Sequence, residues 1–347
     1  MKKLLAVLVS CAVVGGVSVV GRAQPSRAGS AILRLDPALD AIISPNAKLE
    51  MLKSEVFGIS EGPVWVPDGK SGYVAFSDIA ANVIYKWTSD DKMEILLDKS
   101  GYTGDLAAVL NGGYFARAGL LYIYNFGSNG ITLDQQGRLV FTAQGDRAIV
   151  RLEKNGTRTV LADRYEGKRL SRPNDLVIKS DGAVYFSDPH PDNNPTIELP
   201  YNAVFMIKDG TVRLLDNTFR PNGLAFSPDE KYLYVNGEQK IRRYDVQPDG
   251  TIANGRIWAD LSLDKAPGNP DGMKVDQKGN VYCTGPGGIW ILSPDGKHLG
   301  TILLPEPATN VGFAGVDGKT LYITDRRSLE RIRLNTPGIL PGPKRTS

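Results

Sequence analysis

The sequence predicts an all-β chain folded as a six-bladed β-propeller, with a strand from near the N-terminus closing the last blade. Three observations carry this. A polar residue opening an alternating strand returns six times, at Glu61, Asn129, Asn174, Asn222, Asp271 and Asn310, with an apolar residue four positions on: Trp65, Leu133, Ile178, Phe226, Val275 and Ala314. Eight residues after each opener stands a turn glycine, Gly69, Gly137, Gly182, Gly279 or Gly318, replaced only by Glu230 after Asn222. A second strand follows every turn, as YVAFSD, LVFTA, VYFSD, LYVN, VYCT and LYITD. From Asn129 the openers advance by 45 residues to Asn174, 48 to Asn222, 49 to Asp271 and 39 to Asn310. That is the period of a four-stranded propeller blade.

The first 23 of the 347 residues stand apart: a basic MKK start, an apolar middle and a small-residue exit at Gly21, Arg22 and Ala23. This reads as an export signal cleaved after Ala23, placing the mature protein in the periplasm or outside the cell. A second reading of the same stretch is lipidation at Cys11, after Leu8, Val9 and Ser10, which would leave a membrane anchor. Cleavage removes Lys2, Lys3 and Arg22 and no acid, so 38 of the 41 basic residues face 38 acidic ones. A neutral chain has no long-range pull on phosphate backbones or anionic lipid, which argues against nucleic-acid and membrane-surface roles. Only Cys283 then remains, so neither an intrachain disulfide nor a cysteine metal site can form.

A linker is expected over residues 24–46, and the propeller over 47–335. KLEMLKSEVF, at residues 48–57, has strand character but no partner of its own. The first repeat, from Glu61, holds four strands, ending in EILLD at Asp98. An insertion at about residues 99–128 breaks the period. Its aromatics Tyr114, Phe115, Tyr122, Tyr124 and Phe126 suit either the rim of a pocket or a loop laid on the side of a blade. The last repeat supplies only three strands before a tail at residues 336–347 rich in proline and glycine. The spare early strand is therefore predicted to complete it, removing an open sheet edge.

In a propeller the first strand of each blade lines the central channel, so the six openers would form a ring of two carboxylates and four amides. Asn and Asp at a strand start also serve as simple turn devices. A turn device would not select Glu at the first blade, however, and six oxygen-bearing side chains around one axis suit a hard divalent cation. Two carboxylates in a narrow channel repel, and a dication removes that repulsion. Cys283 in VYCT reads as a buried core residue. His190 and His298 lie in no catalytic or metal spacing, and GPGG at Gly285 joins two strands and opens no helix, so it reads as a turn.

EGPVW at Glu61, SNGITLD from Ser128, RPNDLVIKSDGAVYFSDP from Arg172, RPNGLAFSPDEKYLYV from Arg220 and PDGMKVDQKGNVYCTGPGGIWI from Pro270 resemble the SMP-30/gluconolactonase/luciferin-regenerating-enzyme-like family over roughly residues 50 to 335. The resemblance implies hydrolysis of a sugar lactone around one bound divalent cation, calcium first, with zinc, magnesium or manganese also compatible. It implies metal ligands at Glu61, Asn174, Asn222 and Asp271, a general base at Asp271, and substrate contacts at Arg172, Asn129 and Asn174. After SDP the usual short turn is replaced by HPDNNPTIELPYN, which leaves the substrate's size and identity open. A phosphotriesterase or other esterase on the same site, and a noncatalytic propeller tied together by its metal, are the competing readings; oligomer formation is compatible with all of them.

Overall fold

The computed structural model describes residues 31–105, 116–117, 120–121, 126–191 and 196–343. The leader and most of the insertion, with Tyr114, Phe115, Tyr122 and Tyr124, fall outside the described residues.

Each repeat folds as one antiparallel sheet. Blade 1 holds the strands Ser60–Asp68, Ser71–Asp78, Val83–Thr88 and Met93–Asp98, and blade 2 holds Ser128–Leu133, Leu139–Ala143, Ala148–Leu152 and Arg158–Ala162. Blade 3 runs from Leu176–Ile178 through Val184–Asp188 and Ala203–Lys208 to Thr211–Asp216. Blade 4 runs from Leu224–Phe226 through Tyr232–Gly237 and Lys240–Val246 to Ile252–Asp260. Blade 5 contains Met273–Val275, Val281–Gly285, Gly288–Leu292 and His298–Leu303, and blade 6 contains Asn310–Ala314, Thr320–Thr324 and Leu329–Arg333. The first strands of successive blades touch one another around a closed ring, with that of blade 6 against that of blade 1.

The predicted closure is present. Leu49–Lys53 pairs antiparallel with Leu329–Arg333, placing Leu49 opposite Ile332 and Met51 opposite Glu330. Blade 6 thereby gains its fourth, outer strand from the opposite end of the chain. Residues 31–46 of the stretch expected to be a linker are folded onto the blades. Ile32–Arg34 adds a fifth strand to the outside of blade 5, with Leu33 opposite Thr301, and a short 3-10 helix follows at Pro37–Ala41. Leu39, Ile42 and Ile43 on this segment are buried in the core, which overrides the proline, serine and glycine content that suggested a linker.

Six apolar clusters hold the ring, one between each pair of neighbouring blades. Val64 and Ile84 meet Ile131 and Phe141 between blades 1 and 2, for example, and Tyr282 and Ile291 meet Phe313 and Ile323 between blades 5 and 6. Burying a large apolar side chain contributes about 1.5–3 kcal/mol, so the seams between blades, repeated six times, supply most of the driving force. Inner strands such as Ser128–Leu133 and Asn310–Ala314 are buried on both faces. Outer ones such as Met93–Asp98 are part-buried to exposed along their length.

The turn position confirms the repeat in an unexpected way. Gly69, Gly137, Gly182, Gly279 and Gly318 all have positive φ, between 57° and 91°, and Glu230 adopts the same left-handed backbone at φ 55°. That conformation is unfavourable for a residue with a Cβ. Side-chain bonds offset it here: the Glu230 carboxylate accepts from Ser180 N at 2.7 Å and Ser180 Oγ at 2.6 Å, and Lys179 Nζ lies 3.4 Å away.

The C-terminal segment does not hang free. Gly338 N donates to Gly318 O on blade 6, and Ile339 N donates to Val275 O on blade 5. Leu340 packs beside core clusters, and Gly342 lies over Leu133 of blade 2. Ile339, Leu340, Pro341 and Gly342 form one wall of a chamber of about 640 Å³ in the lower channel, otherwise lined by side chains such as Val64, Ile131, Leu176, Leu224 and Phe313.

Candidate functional site

The ring openers sit at the start of each inner strand, held there by a second set of polar residues absent from the sequence-based expectations. Near the ends of the second strands stand Ser77, Thr142, Ser187, Asn236, Thr284 and Thr324, all 0% exposed. Ser77 Oγ donates to Asn129 O at 2.8 Å, Thr142 Oγ1 to Asn174 O at 2.7 Å and Asn236 Nδ2 to Asp271 O at 2.7 Å, each reaching across to the next blade's opener. Thr284 Oγ1 accepts from Asp271 N at 2.6 Å, and Thr324 Oγ1 donates to Asn310 O at 3.3 Å. A hydroxyl or amide at the end of FS, FT, FS, VN, CT and IT was visible as a repeated feature of the sequence; its partner was not.

The side chains then divide by role. Asn310 is not positioned as an independent oxygen donor: its Nδ2 donates to Glu61 Oε2 at 2.9 Å, and its Oδ1 accepts from Val311 N at 2.9 Å. Glu61 Oε2 also takes Gly62 N at 3.0 Å. Asn174 Nδ2 donates to Asn222 Oδ1 at 2.8 Å, and the Asn222 side chain in turn bonds the Asp271 carboxylate. Asn129 Oδ1 and Asn174 Oδ1 are buried with no hydrogen-bond partner. A buried amide oxygen left unpaired costs about 1–3 kcal/mol, so two of them in one ring mark a place for an electropositive guest.

Burial and charge point the same way. Glu61 is 3% exposed, and its carboxyl is pushed well above the usual glutamate range, first by burial and then by the nearby Asp271. Asp271 is raised to about 7, by burial and then by Asp175. Asp175 is a third acid that the sequence pattern hid beside Asn174. It is 3% exposed, its Oδ1 accepts from Leu176 N, and its Oδ2 lies 3.9 Å from Lys274 Nζ, close enough for attraction but not for a hydrogen bond. Lys274 also lines the lower chamber, so it stands between that chamber and the acidic site. Arg172 and Arg326 both hold Asp271 down by their charge. Arg326 is exposed and adopts φ 77°, with its carbonyl accepting Ser60 N at 2.6 Å beside Glu61.

Arg172 is fixed through its backbone. Asp188, fully buried, accepts from Ser171 N at 2.8 Å and Arg172 N at 2.5 Å, and burial raises its carboxyl to about 6. Arg172, Asn174 and Asn222 then line one cleft of about 300 Å³ together with Pro189, Arg220, Glu238, Gln239 and Asn269. Among the described residues no three His, Cys, Asp or Glu side chains form a metal-binding group. Of the oxygens that could meet a cation here, the Asn174 Oδ1 is unpaired, the Glu61 and Asp271 carboxylates are buried, and Asn222 Oδ1 is taken by Asn174 Nδ2, so that amide pair would have to turn before Asn222 could serve as a ligand.

The other candidates lie elsewhere. Cys283 is 0% exposed, burial pushes its thiol up to about 12, and Asn236 Nδ2 donates to its Sγ at 3.2 Å. His298 stacks on Trp290 at 3.6 Å in the outer part of blade 5. Gly285 and Gly288 bound the turn between two strands of that blade. His190 N donates to Asn202 Oδ1 in the loop after Pro189, part of which, residues 192–195, lies outside the described residues.

A closed six-bladed propeller with a buried ring of acid and amide oxygens on its axis, opening to a polar cleft, is the architecture of a small-molecule site. Residues 59–327 match the SMP-30/Gluconolactonase/LRE-like region, and the chain belongs to that family. It is 35% identical over 325 residues to a gluconolactonase of Zymomonas mobilis, covering 88% of this chain and 87% of the relative. A solved gluconolactonase from Xanthomonas campestris is 30% identical with a TM-score of 0.73, covering 87% of this chain and 94% of the other. A solved calcium-binding regucalcin from Agrobacterium tumefaciens shares the fold at 15% identity, with a TM-score of 0.66 over 86% of this chain and 98% of that one.

Proposed function

We propose that this protein is a lactonase that opens a sugar lactone at the axial ring, with a divalent cation, calcium first, held by Glu61, Asn174, Asn222 and Asp271. The observation that carries this reading is the pair of unpaired buried oxygens on Asn129 and Asn174 beside two carboxyls whose burial disfavours charge. When bound, the cation supplies Lewis acidity toward a carbonyl oxygen and offsets the charge of the two acids.

The chain's own residues do the rest. Asp271, held at its backbone N by Thr284 and at its backbone O by Asn236, presents a carboxylate oxygen that accepts the proton of the water attacking the carbonyl carbon and returns it to the ring oxygen as the acyl C–O bond breaks, giving the open hydroxy acid. Glu61, clamped by Asn310 and Gly62, keeps its position opposite. Arg172 is fixed by Asp188 and lines the cleft with Asn174, where it orients the lactone and favours negative charge developing on its oxygen. Burial excludes bulk water, so these dipoles act at a low effective dielectric. The gluconolactonase names of the relatives from Zymomonas mobilis and Xanthomonas campestris support the lactone over other esters.

Hydrolysis of D-glucono-1,5-lactone, followed by acid release with and without EDTA and with calcium restored, tests this. The reading expects activity above the spontaneous rate, loss with chelator while the circular dichroism spectrum is kept, and return with calcium. Activity indifferent to chelation would refute the metal's catalytic part, and no activity on aldonolactones would refute the lactonase reading.

A further inference from the structure

The cleft beside the ring contains a turn of unusual chemistry. Strands Tyr232–Gly237 and Lys240–Val246 are joined by Glu238 and Gln239 alone, with Gly237 paired to Lys240. Both central residues have positive φ, 53° and 61°. Two-residue hairpin turns of this kind are ordinarily made by Asn-Gly or Gly-Gly, since a Cβ is disfavoured there. Strain of this sort persists where surrounding structure fixes it, and it clusters at ligand sites.

The turn is fixed from both sides. Glu238 Oε1 accepts from Arg220 N at 3.1 Å, and Gln239 O accepts from Leu261 N at 2.9 Å. Asn236, two residues earlier, accepts the backbone N–H groups of Asn222 and Gly223 and donates to Asp271 O. The turn is therefore rigidly linked to two members of the axial ring. Within the cleft, Gln239 Nε2 donates to Asn269 Oδ1 at 2.5 Å, and Gln239 Oε1 is buried without a hydrogen-bond partner. The bond to Asn269 uses the amino end of Gln239 and leaves its carbonyl oxygen without a donor. A hydroxyl serves either end, because it both donates and accepts.

We propose that Gln239, supported by Asn269, is a specificity-determining residue that binds a hydroxyl of a polyhydroxylated lactone, remote from the reacting carbonyl. This rests on the lactonase reading above and adds the residue that selects a hydroxylated lactone over a plain alkyl lactone. Glu238 and the arginines Arg172 and Arg220 line the same cleft, a mixed lining suited to a neutral polar group.

Gln239→Gly is the informative substitution, because glycine takes φ 61° without strain while the whole side chain, amide included, is removed. The variant is compared with wild type on D-glucono-1,5-lactone and on δ-valerolactone, which has the same ring and no hydroxyls; δ-valerolactone is also read as a competitive inhibitor, so slow turnover does not silence that arm. The proposal expects kcat/KM on gluconolactone to fall about tenfold, chiefly through KM, with δ-valerolactone changed less than twofold. Asn269→Ala should show the same selectivity to a smaller degree. An equal loss on both lactones, or no loss on either, with the thermal midpoint retained, would overturn it. A wild-type protein inert toward both would instead overturn the lactonase reading, which the wild-type rates alone reveal.

Discussion

Asn310 offers a sharp test of how the ring works, because its two amide ends have separate duties. Replacing it by alanine removes the 2.9 Å bond to Glu61 Oε2 and the 2.9 Å bond from Val311 N in one step. Asn310 is 1% exposed and Glu61 3%, so neither lost bond is replaced freely by solvent. A hydrogen bond to a charged group contributes about 1.5–3 kcal/mol. If that energy is what keeps Glu61 aimed at the axis, a free carboxylate must be re-ordered whenever a cation binds. Calcium affinity should then fall about 10- to 100-fold, at 1.4 kcal/mol per factor of ten. Leaving Val311 N buried and unpaired should separately lower stability by about 1–3 kcal/mol. Isothermal titration calorimetry with calcium, beside a denaturant melt, separates the two effects. A calcium Kd within twofold of wild type in a folded Asn310→Ala protein would refute the idea that Asn310 positions Glu61.

Two further perturbations address the frame. Glu330 in blade 6 is 1% exposed, its Oε2 has no partner, and burial, then Asp325, raises its carboxyl to about 8. The folded state thus favours the neutral acid, so its contribution is full below the ordinary glutamate range and is lost as pH rises toward 8; Glu330→Gln should melt several degrees above wild type at pH 9 and close to it at pH 4, whereas parallel melting curves would contradict this. Gly338 lies where a Cβ would stand 1.8 Å from the Phe313 ring, which is itself packed edge-on against Tyr282 at 5.0 Å. Gly338→Ala should therefore cost about 1–3 kcal/mol and loosen the C-terminal segment from the channel, read as a lower melting midpoint and faster proteolysis after residue 335; an unchanged midpoint would show that the segment does not depend on this contact.

Much of the architecture was legible because propeller blades repeat. The openers from Glu61 to Asn310, the turn glycines and the spare strand at Leu49–Lys53 each follow from the period and from the need to cover a sheet edge. Even the irregular repeat kept its geometry, with Glu230 taking the left-handed backbone of the glycine it replaces. What stayed hidden depends on contacts between blades. Ser77, Thr142 and Asn236 were visible as strand residues, but their bonds to the following blade's ring follow only from ring closure. Asp175 was masked by its neighbour Asn174, because a strand that starts irregularly does not reveal which of two adjacent polar residues turns inward. Arg326 reaches the site through a positive φ that no local pattern announces. Ile32–Arg34 and the segment after Pro337 look like linker and tail by composition, yet they pair with or pack on the blades because apolar surface was left to cover.

The proposed lactonase needs the opposed acid and amide oxygens on the axis to form a single cation site. Titrating calcium into the wild-type chain and into Glu61→Gln and Asp271→Asn, by calorimetry, tests it most directly. One ion per chain is expected in wild type, with affinity about 100-fold weaker in either variant. Unchanged affinity in both variants, or no saturable binding to the folded wild-type chain, would contradict it.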